Sequence, residues 1–167
     1  MLYLKEPAFE KIEKEYRFIT TVPEDENGFT NIDFGCTREE FERVILPRYL
    51  NNAKGLDLPE GYVPQSEYFL WNDDEIVGWF RLRHYLCESL INGAGHIGYT
   101  IGAAHRGKGY GTEGLRLMLQ LAREQIPEDE IYLRVMKTNH ASLQVMLKNG
   151  AYIHHEDEEH IFTRIKK

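Results

Sequence analysis

Hydrophobic residues recur along this chain with two periods, and the helical period dominates its first third. A helix is predicted over residues 8–19, where apolar side chains repeat every three or four positions: Phe9, Ile12, Tyr16 and Ile19. A second helix is predicted to begin after Thr37, a residue type suited to capping a helix N-terminus. Its apolar face is predicted to consist of Phe41, Val44, Ile45 and Tyr49. The acidic, turn-rich stretch 22–35 is interpreted as a surface loop.

Short strands dominate the rest of the chain, and two further helices separate the last of them. The predicted strands are 2–4, 67–71, 75–83, 95–101, 131–135, 151–155 and 161–165. The additional helices are predicted over 110–125 and 139–149, with Leu143, Met146 and Leu147 of the latter facing inward. This order predicts one mixed α/β domain over 1–167, with a mostly antiparallel sheet of six to seven strands flanked by helices.

The composition excludes several classes of protein. A net charge of −7 argues against a nucleic-acid or anionic-membrane binder, because such partners need a basic surface. The N-terminus is charged from its first residues and resembles no signal peptide, and no apolar run has the length of a transmembrane helix. The two cysteines, Cys36 and Cys87, form no metal or redox motif. We therefore expect a cytoplasmic protein without a nucleic-acid or membrane partner.

The strongest chemical signal is a basic, glycine-rich loop that follows the strand 95–101 and leads into the helix 110–125. Its core reads Arg106-Gly-Lys-Gly-Tyr-Gly111. Glycine allows close approach of the backbone to an anion, and the first turn of a helix leaves its N–H groups unpaired. The helix dipole and the charges of Arg106 and Lys108 favour an anion at the same place. The loop is therefore predicted to bind phosphate.

Two nucleotide-binding motifs are close to this loop but do not fit its context. The spacing Gly109-x-Gly111-x-x-Gly114 matches the dinucleotide fingerprint, with acidic residues at 128–130, about twenty residues on. Those acids precede the next strand, whereas a ribose-binding acid follows it. A P-loop needs Ser or Thr after its Gly-Lys pair, and here Gly109 follows. Nucleotide-dependent chemistry is therefore disfavoured.

The loop resembles the Arg/Gln-x-x-Gly-x-Gly/Ala signature of the GNAT acetyltransferase superfamily. The segment Asn139-His-Ala-Ser142, followed by Gly150-Ala-Tyr152, resembles the second cofactor motif of that superfamily. The similarity extends over about 67–162 and is greatest to a bacterial subgroup of predicted acetyltransferases. By analogy, residues 1–60 correspond to the N-terminal strand and helices over the substrate side.

The resemblance implies a splayed sheet and an acetyl-CoA-dependent N-acetyltransferase that needs no metal. The pyrophosphate of acetyl-CoA would lie on the amides of 106–112, and the pantetheine arm would pair with the strand at 99–101. Asn139 and Ser142 would lie beside the cofactor. The alternative role for Asn139 is that of a simple helix cap. The implied cofactor-binding residues are Tyr99, Thr100, Ile101, Arg106, Gly107, Lys108, Gly109, Tyr110, Gly111, Thr112, Asn139 and Ser142.

The catalytic groups are less clearly marked. Many GNAT enzymes protonate the leaving thiolate with a tyrosine at the position of Met146, which has no proton to donate. Because imidazole accepts a proton near neutral pH, His96 is the predicted base, with a structural histidine as the alternative. His84 and Glu88 are weaker candidates for the base. Two further residues, Arg81 and Arg83, are candidates for orienting a carboxylate on the substrate.

The acceptor is expected to be a primary amine on a small molecule or a peptide, and the sequence does not identify it. The alternative function is a non-catalytic acyl-CoA-binding module or sensor, which the methionine at position 146 suggests. Histidines and carboxylates cluster at 154–160, but this segment is interpreted as a solvated hairpin turn without a metal. A homodimer is possible, because dimers are common among similar proteins.

Overall fold

The chain forms nine strands and six α-helices, and the computed structural model describes all residues, 1–167. The strands are β1 Leu2–Lys5, β2 Asp25–Glu26, β3 Phe29–Thr30, β4 Gln65–Asn72, β5 Glu75–Arg83, β6 Ile97–Ile101, β7 Glu130–Met136, β8 Tyr152–Glu156 and β9 His160–Lys166. The α-helices are α1 Ile12–Thr21, α2 Arg38–Glu40, α3 Leu46–Ala53, α4 Glu88–Ile91, α5 Tyr110–Gln125 and α6 His140–Lys148. The predicted mixed α/β fold is confirmed. None of the helices combines the length and the apolar character that crossing a bilayer requires.

The main strands lie in two antiparallel sheets that meet at one point. The first sheet has the order β1-β4-β5-β6 and the second has the order β7-β9-β8. A single bridge between Gly95 and Leu133 joins them, supported by the His96 amide, which donates to the Tyr132 carbonyl oxygen at 2.8 Å. Beyond this bridge β6 and β7 separate. The combined sheet is therefore splayed, and it opens a gap between these two strands.

The two faces of the first sheet are covered by different parts of the chain. On one face, Phe80 and Leu82 of β5 pack with α5 and with residues of β7 and β9 in a core of 17 buried residues. On the other face, Trp79 packs with the N-terminal helices in a second core of 13 buried residues. Because side chains alternate along a strand, Arg81 and Arg83 continue the second face. That face carries the polar groups described below.

The second predicted helix contains a π-helical turn, and this explains one error in its predicted face. Thr37 caps it as expected, since its hydroxyl accepts from the Glu40 amide at 3.1 Å and Glu40 reciprocates. The π-helical segment Phe41–Ile45 lies between α2 and α3. A wider turn shifts the positions that follow relative to an α-helical pattern. Val44 is 58% exposed as a result, and its predicted place in the core is wrong.

The stretch 22–35 also differs from its interpretation as a surface loop. It contains the hairpin of β2 and β3, and Phe29 of this hairpin is buried against Trp79 at a ring-centroid distance of 5.0 Å. Asn31 is fully buried and donates through Nδ2 to the Val22 carbonyl oxygen at 2.9 Å. Side-chain hydrogen bonds of this kind fix a loop without regular structure. The segment is therefore an ordered part of the molecule that packs against the first sheet.

Candidate active site

A cleft of about 960 Å³ runs from the glycine-rich loop, through the gap between β6 and β7, to the face covered by the N-terminal helices. Its lining includes eleven of the twelve predicted cofactor residues: Tyr99, Thr100, Ile101, Arg106, Gly107, Gly109, Tyr110, Gly111, Thr112, Asn139 and Ser142. Lys108 is exposed and lies outside the lining. The structure thus brings two distant motifs together around one cavity.

The glycine-rich loop ends in a left-handed turn that exposes a run of backbone donors. Gly107 and Gly109 have φ angles of +76° and +81°, which residues with a Cβ rarely adopt. Gly109 is the N-cap of α5. None of the seven backbone amides of 106–112 donates a hydrogen bond to another protein atom. Together with the N-terminus of a 16-residue helix, these amides form a concave set of donors suited to a phosphate group.

The two cationic side chains of the loop, Arg106 and Lys108, differ in the contacts that they make. Arg106 donates through Nη2 to Glu26 at 2.6 Å and through Nε to the Ile101 carbonyl oxygen at 3.2 Å. It therefore ties the loop to the β2–β3 hairpin. Lys108 makes no ion pair and projects from the exposed side of the loop. The groups of this loop that remain free to attract an anion are therefore mainly the helix N-terminus and the loop amides.

Tyr99 and the first turn of α6 face each other across the cleft. The Tyr99 ring stacks on Phe80 with centroids 5.3 Å apart, and its hydroxyl lies 2.7 Å from Ser142 Oγ. Burial raises the pKa of Tyr99 to about 12. Asn139 caps α6, because its Oδ1 accepts from the Ser142 amide at 3.2 Å. The capping role weighed for Asn139 is therefore present, and its side chain also lines the cleft.

Met146 lies one helical turn after Ser142 and is a core residue. It is 2% exposed, and its sulfur accepts a hydrogen bond from Thr163 Oγ1 at 3.4 Å. This agrees with its expected packing, although Leu147, predicted to face inward beside it, is 37% exposed. The position that carries a tyrosine in many GNAT enzymes therefore offers no proton here.

His96, the predicted base, does not have the geometry of a general base in this structure. The side chain is completely buried and lies outside the cleft lining. Its Nδ1 accepts from the Tyr132 amide at 2.9 Å, so the ring proton is on Nε2, which donates to Glu128 at 3.0 Å. Burial lowers the pKa of His96 and so favours the neutral ring. The histidine links β6 to β7, which is the structural alternative considered for it.

The weaker candidates for the base also lie outside the cleft lining. His84 Nε2 lies 2.7 Å from Ser66 Oγ, and burial lowers the pKa of this histidine. Glu88 is an exposed residue in the first turn of α4. The histidines at 154 and 155 are exposed on β8, so the hairpin is solvated as interpreted. None of these residues contacts the site described above.

Two buried carboxylates on the acceptor side were not identified from the sequence. Glu67 is 3% exposed and accepts from Trp79 Nε1 at 2.6 Å and from Arg81 Nε at 2.8 Å. Asp33 is 8% exposed and accepts from Arg48 and from the Tyr49 hydroxyl. The one available signal was an acidic residue within an otherwise apolar strand at Glu67, because such residues are rarely buried without a partner.

Comparison with known proteins decides the family. A family model described as an acetyltransferase (GNAT) domain matches residues 17–152, which is most of the chain. The chain belongs to the GNAT acetyltransferase family. This confirms the resemblance drawn from the loop and the second motif.

The GNAT assignment agrees with a curated relative and with solved structures. The chain is 34% identical over 82 residues to a probable N-acetyltransferase, YjcK, of Bacillus subtilis; the match covers 49% of this chain and 44% of the relative. The chain therefore spans less than half the length of that relative. The structure is similar to that of a probable acetyltransferase with a TM-score of 0.71, at 16% identity over 99% of this chain and 93% of that one.

A third similar protein is the N-acetyltransferase PseH of Campylobacter jejuni, solved in complex with acetyl coenzyme A. Its TM-score is 0.64 at 16% identity, and the comparison covers 100% of this chain and 99% of that one. At this identity the likeness shows the fold. The two solved proteins therefore share the fold of this chain.

Proposed function

We propose that this protein transfers an acetyl group from acetyl-CoA directly to a primary amine. The observation that carries the proposal is the run of seven unpaired backbone amides at 106–112, placed at one end of the gap between β6 and β7. Unpaired amides at a helix N-terminus bind the oxygens of a diphosphate. The neighbouring gap between β6 and β7, which are joined only by the Gly95–Leu133 bridge, would receive the extended pantetheine arm. The amine would approach from the opposite face of the sheet.

The similar structures support acetyl-CoA as the ligand. PseH of Campylobacter jejuni has been solved with acetyl coenzyme A bound. In this chain, eleven of the twelve predicted cofactor residues line one cleft, which supports the same ligand. In the proposed reaction the amine nitrogen attacks the thioester carbonyl carbon, the carbon–sulfur bond breaks, and the amine loses one proton while the CoA sulfur gains one. The products are the N-acetyl amine and free CoA.

The proton for the departing sulfur needs a donor, because Met146 has none. Tyr99 is the group that we propose for this role. Its hydroxyl lies within the cleft and contacts Ser142, one turn before Met146 on α6. Since burial raises its pKa to about 12, the phenol stays protonated across the physiological range. A neutral hydroxyl at this place can donate to a thiolate as it forms.

Replacing Gly109 with Ala is expected to weaken acetyl-CoA binding about tenfold, because the φ of +81° disfavours a Cβ and the loop amides reorient to relieve the strain. Gly150→Ala is the matched control, with a φ of +88°, open space for its Cβ and a position outside the cleft. Both variants should lose about 1 kcal/mol of stability. Calorimetric titration of acetyl-CoA into each variant measures the affinity. Equal affinities in the two variants would show that the loop does not bind acetyl-CoA.

The variant Tyr99→Phe is expected to lower kcat about a hundredfold and to leave the KM for acetyl-CoA within a factor of three. Tyr68→Phe is the matched control, since it removes a partly buried hydroxyl bonded to Gln125 at 3.3 Å, away from the cleft. Steady-state assays of CoA release measure both variants. If Tyr99→Phe retains the kcat of Tyr68→Phe, Tyr99 is not the proton donor.

A non-catalytic acyl-CoA-binding module is the second candidate, and the methionine at position 146 is the observation that favours it. The two functions differ in whether thiol is released. Acetyl-CoA is incubated with the protein, a panel of amines and a thiol reagent, and the melting temperature is measured with acetyl-CoA in parallel. Amine-dependent thiol release is expected. Stabilisation by acetyl-CoA without release for any amine would favour the binding module.

A further inference from the structure

The cleft contains more arginine than carboxylate groups, although the whole chain carries a net charge of −7. The cleft lining includes three carboxylates and five guanidinium groups: Glu26, Asp33, Glu67, Arg48, Arg81, Arg83, Arg106 and Arg134. Each carboxylate has its own arginine, at 2.6 Å for Glu26–Arg106, 2.5 Å for Asp33–Arg48 and 2.8 Å for Glu67–Arg81. Two arginines, Arg83 and Arg134, are left without a carboxylate.

These two arginines flank the bridge between the two sheets. Arg83, the last residue of β5, donates through Nη1 to the Gly95 carbonyl oxygen at 3.3 Å, which is its one side-chain hydrogen bond. Arg134 follows Leu133, the bridge partner of Gly95, and makes neither a side-chain hydrogen bond nor an ion pair. Burial, and then the charges of Arg81 and Arg134, lower the pKa of Arg83 to about 10. Both side chains line the cleft beside the Gly95–Leu133 bridge.

Their position separates them from the phosphate site. Residues Ile97 and Ile101, at the two ends of β6, pair with Leu82 and Gly78 of β5. Four steps along a strand span about 13 Å. The glycine-rich loop follows Ile101, whereas Arg83 lies one residue beyond Leu82. The two arginines thus lie at the other end of β6 from the amides that bind the diphosphate, on the face from which the amine approaches.

Two unpaired guanidinium groups on neighbouring walls repel each other and give up part of their hydration. The chain has 27 acidic residues, and yet none of them pairs with these two arginines. A guanidinium group presents a planar fork of N–H donors that matches the oxygens of a carboxylate or a phosphate. A ligand oxyanion would satisfy both groups at once and remove their mutual repulsion.

We propose that the acceptor amine of this acetyltransferase carries an oxyanion, which Arg83 and Arg134 bind. The inference rests on the proposed function and specifies the substrate class of the same site. The oxyanion would anchor the far end of the substrate beside the Gly95–Leu133 bridge, and its amine would reach along β6 towards the thioester. Carboxylate and phosphate present the same recognisable chemistry, and the assay separates them.

The test compares amines with and without an oxyanion. Acetyl-CoA-dependent thiol release is measured for the proteinogenic amino acids against their amides, and for phosphoethanolamine against ethanolamine. The member of at least one pair that carries the oxyanion is expected to have a kcat/KM at least tenfold above that of its partner without one. In Arg83→Gln and Arg134→Gln its KM should rise about 10–100-fold with kcat little changed, while the partner without the oxyanion is unaffected. Arg134→Lys should recover part of the loss.

The control variant is Arg123→Gln, which removes one exposed positive charge from α5 far from the cleft. It should behave as the wild type. The proposal is overturned if amines without an oxyanion, including polyamines, are transferred as fast as those that carry one, or if the Arg83 and Arg134 variants match Arg123→Gln.

A binding measurement separates failure of this inference from failure of the proposed function. The melting temperature of the protein without acetyl-CoA is followed with added amino acids and phosphoethanolamine, for the wild type and the Arg83→Gln/Arg134→Gln double variant. At least one of these compounds should stabilise the wild type by several degrees and the double variant by less than one. If acetyl-CoA neither binds nor releases thiol but this difference persists, the anion site stands and the acetyl-transfer proposal fails. If the wild type and the double variant respond alike, the anion site is refuted.

Discussion

Replacing Glu67 with Ala is expected to lower the free energy of unfolding by about 3–5 kcal/mol, because the substitution leaves a buried charge without its partner. The side chain of Arg81 is 13% exposed, and its Nε donates a hydrogen bond to the Glu67 carboxylate at 2.8 Å. The same carboxylate satisfies the indole N–H of Trp79, which is fully buried. Both donors would lose their acceptor in one step. Urea denaturation of the wild type and the variant measures the loss.

Two further variants show that the effect depends on burial. Glu67→Gln keeps an oxygen acceptor for the indole but removes the charge, so it should give a smaller loss than Glu67→Ala. Glu113→Ala breaks an exposed pair with Arg116, in which both side chains are more than 40% exposed, and should change stability by less than about 1 kcal/mol. A loss in Glu67→Ala no larger than that in Glu113→Ala would show that the buried pair contributes little to the fold.

Lowering the pH from 7.5 to 5 is expected to stabilise the protein through Glu15 by on the order of 2–3 kcal/mol. Glu15 is 1% exposed, and burial raises its pKa from 4.5 to about 7. One of its oxygens accepts from the Ala8 amide at 2.9 Å, and the other has no partner. Between pH 4.5 and 7 the folded protein therefore binds more protons at this site than the unfolded chain. Stability is highest below this window and falls as the pH rises through it.

The variant Glu15→Gln isolates this contribution, because glutamine does not titrate. The difference in unfolding free energy between the wild type and Glu15→Gln should move in favour of the variant as the pH rises from 5 to 7.5. Glu124→Gln, an exposed substitution on α5, serves as the control and should follow the wild-type curve. Urea denaturation at intervals of half a pH unit gives all three curves. A constant difference between the wild type and Glu15→Gln would contradict the raised pKa.

The local features of the fold followed from the sequence because their signals lie close together along the chain. The predicted bounds of β5 and α5 agree with the structure to the residue. The positive φ angles at Gly107 and Gly109 follow from the glycines themselves, and the Asn139 cap follows from one side chain at the start of α6. Each of these features needs only a few neighbouring residues to form. The loop and the motif around it were therefore predictable.

The errors concern partners that are distant in sequence. His96 lies on the strand expected of a base, yet Glu128 and Tyr132, more than thirty residues away, occupy both of its ring nitrogens. The pairing of Asp33 with Arg48 crosses from a loop to α3. Helical periodicity likewise assumes a constant turn, and one π-helical segment after Glu40 is enough to turn Val44 outward. Sequence patterns specify which face a residue occupies, but they do not specify which residue it meets there.

Beyond the single bridge at Gly95–Leu133 the two sheets separate, and the cleft there has two kinds of lining. The donor half of the cleft is built mainly from peptide groups, whose hydrogen-bonding capacity is the same whatever side chain is attached. The half where we propose that the amine binds contains carboxylates and guanidinium groups, each of which a single codon change can replace. In the proposed reaction, selection could therefore change which amine is bound without changing how the acyl donor is held. A scaffold of this kind is well suited to diversification after gene duplication.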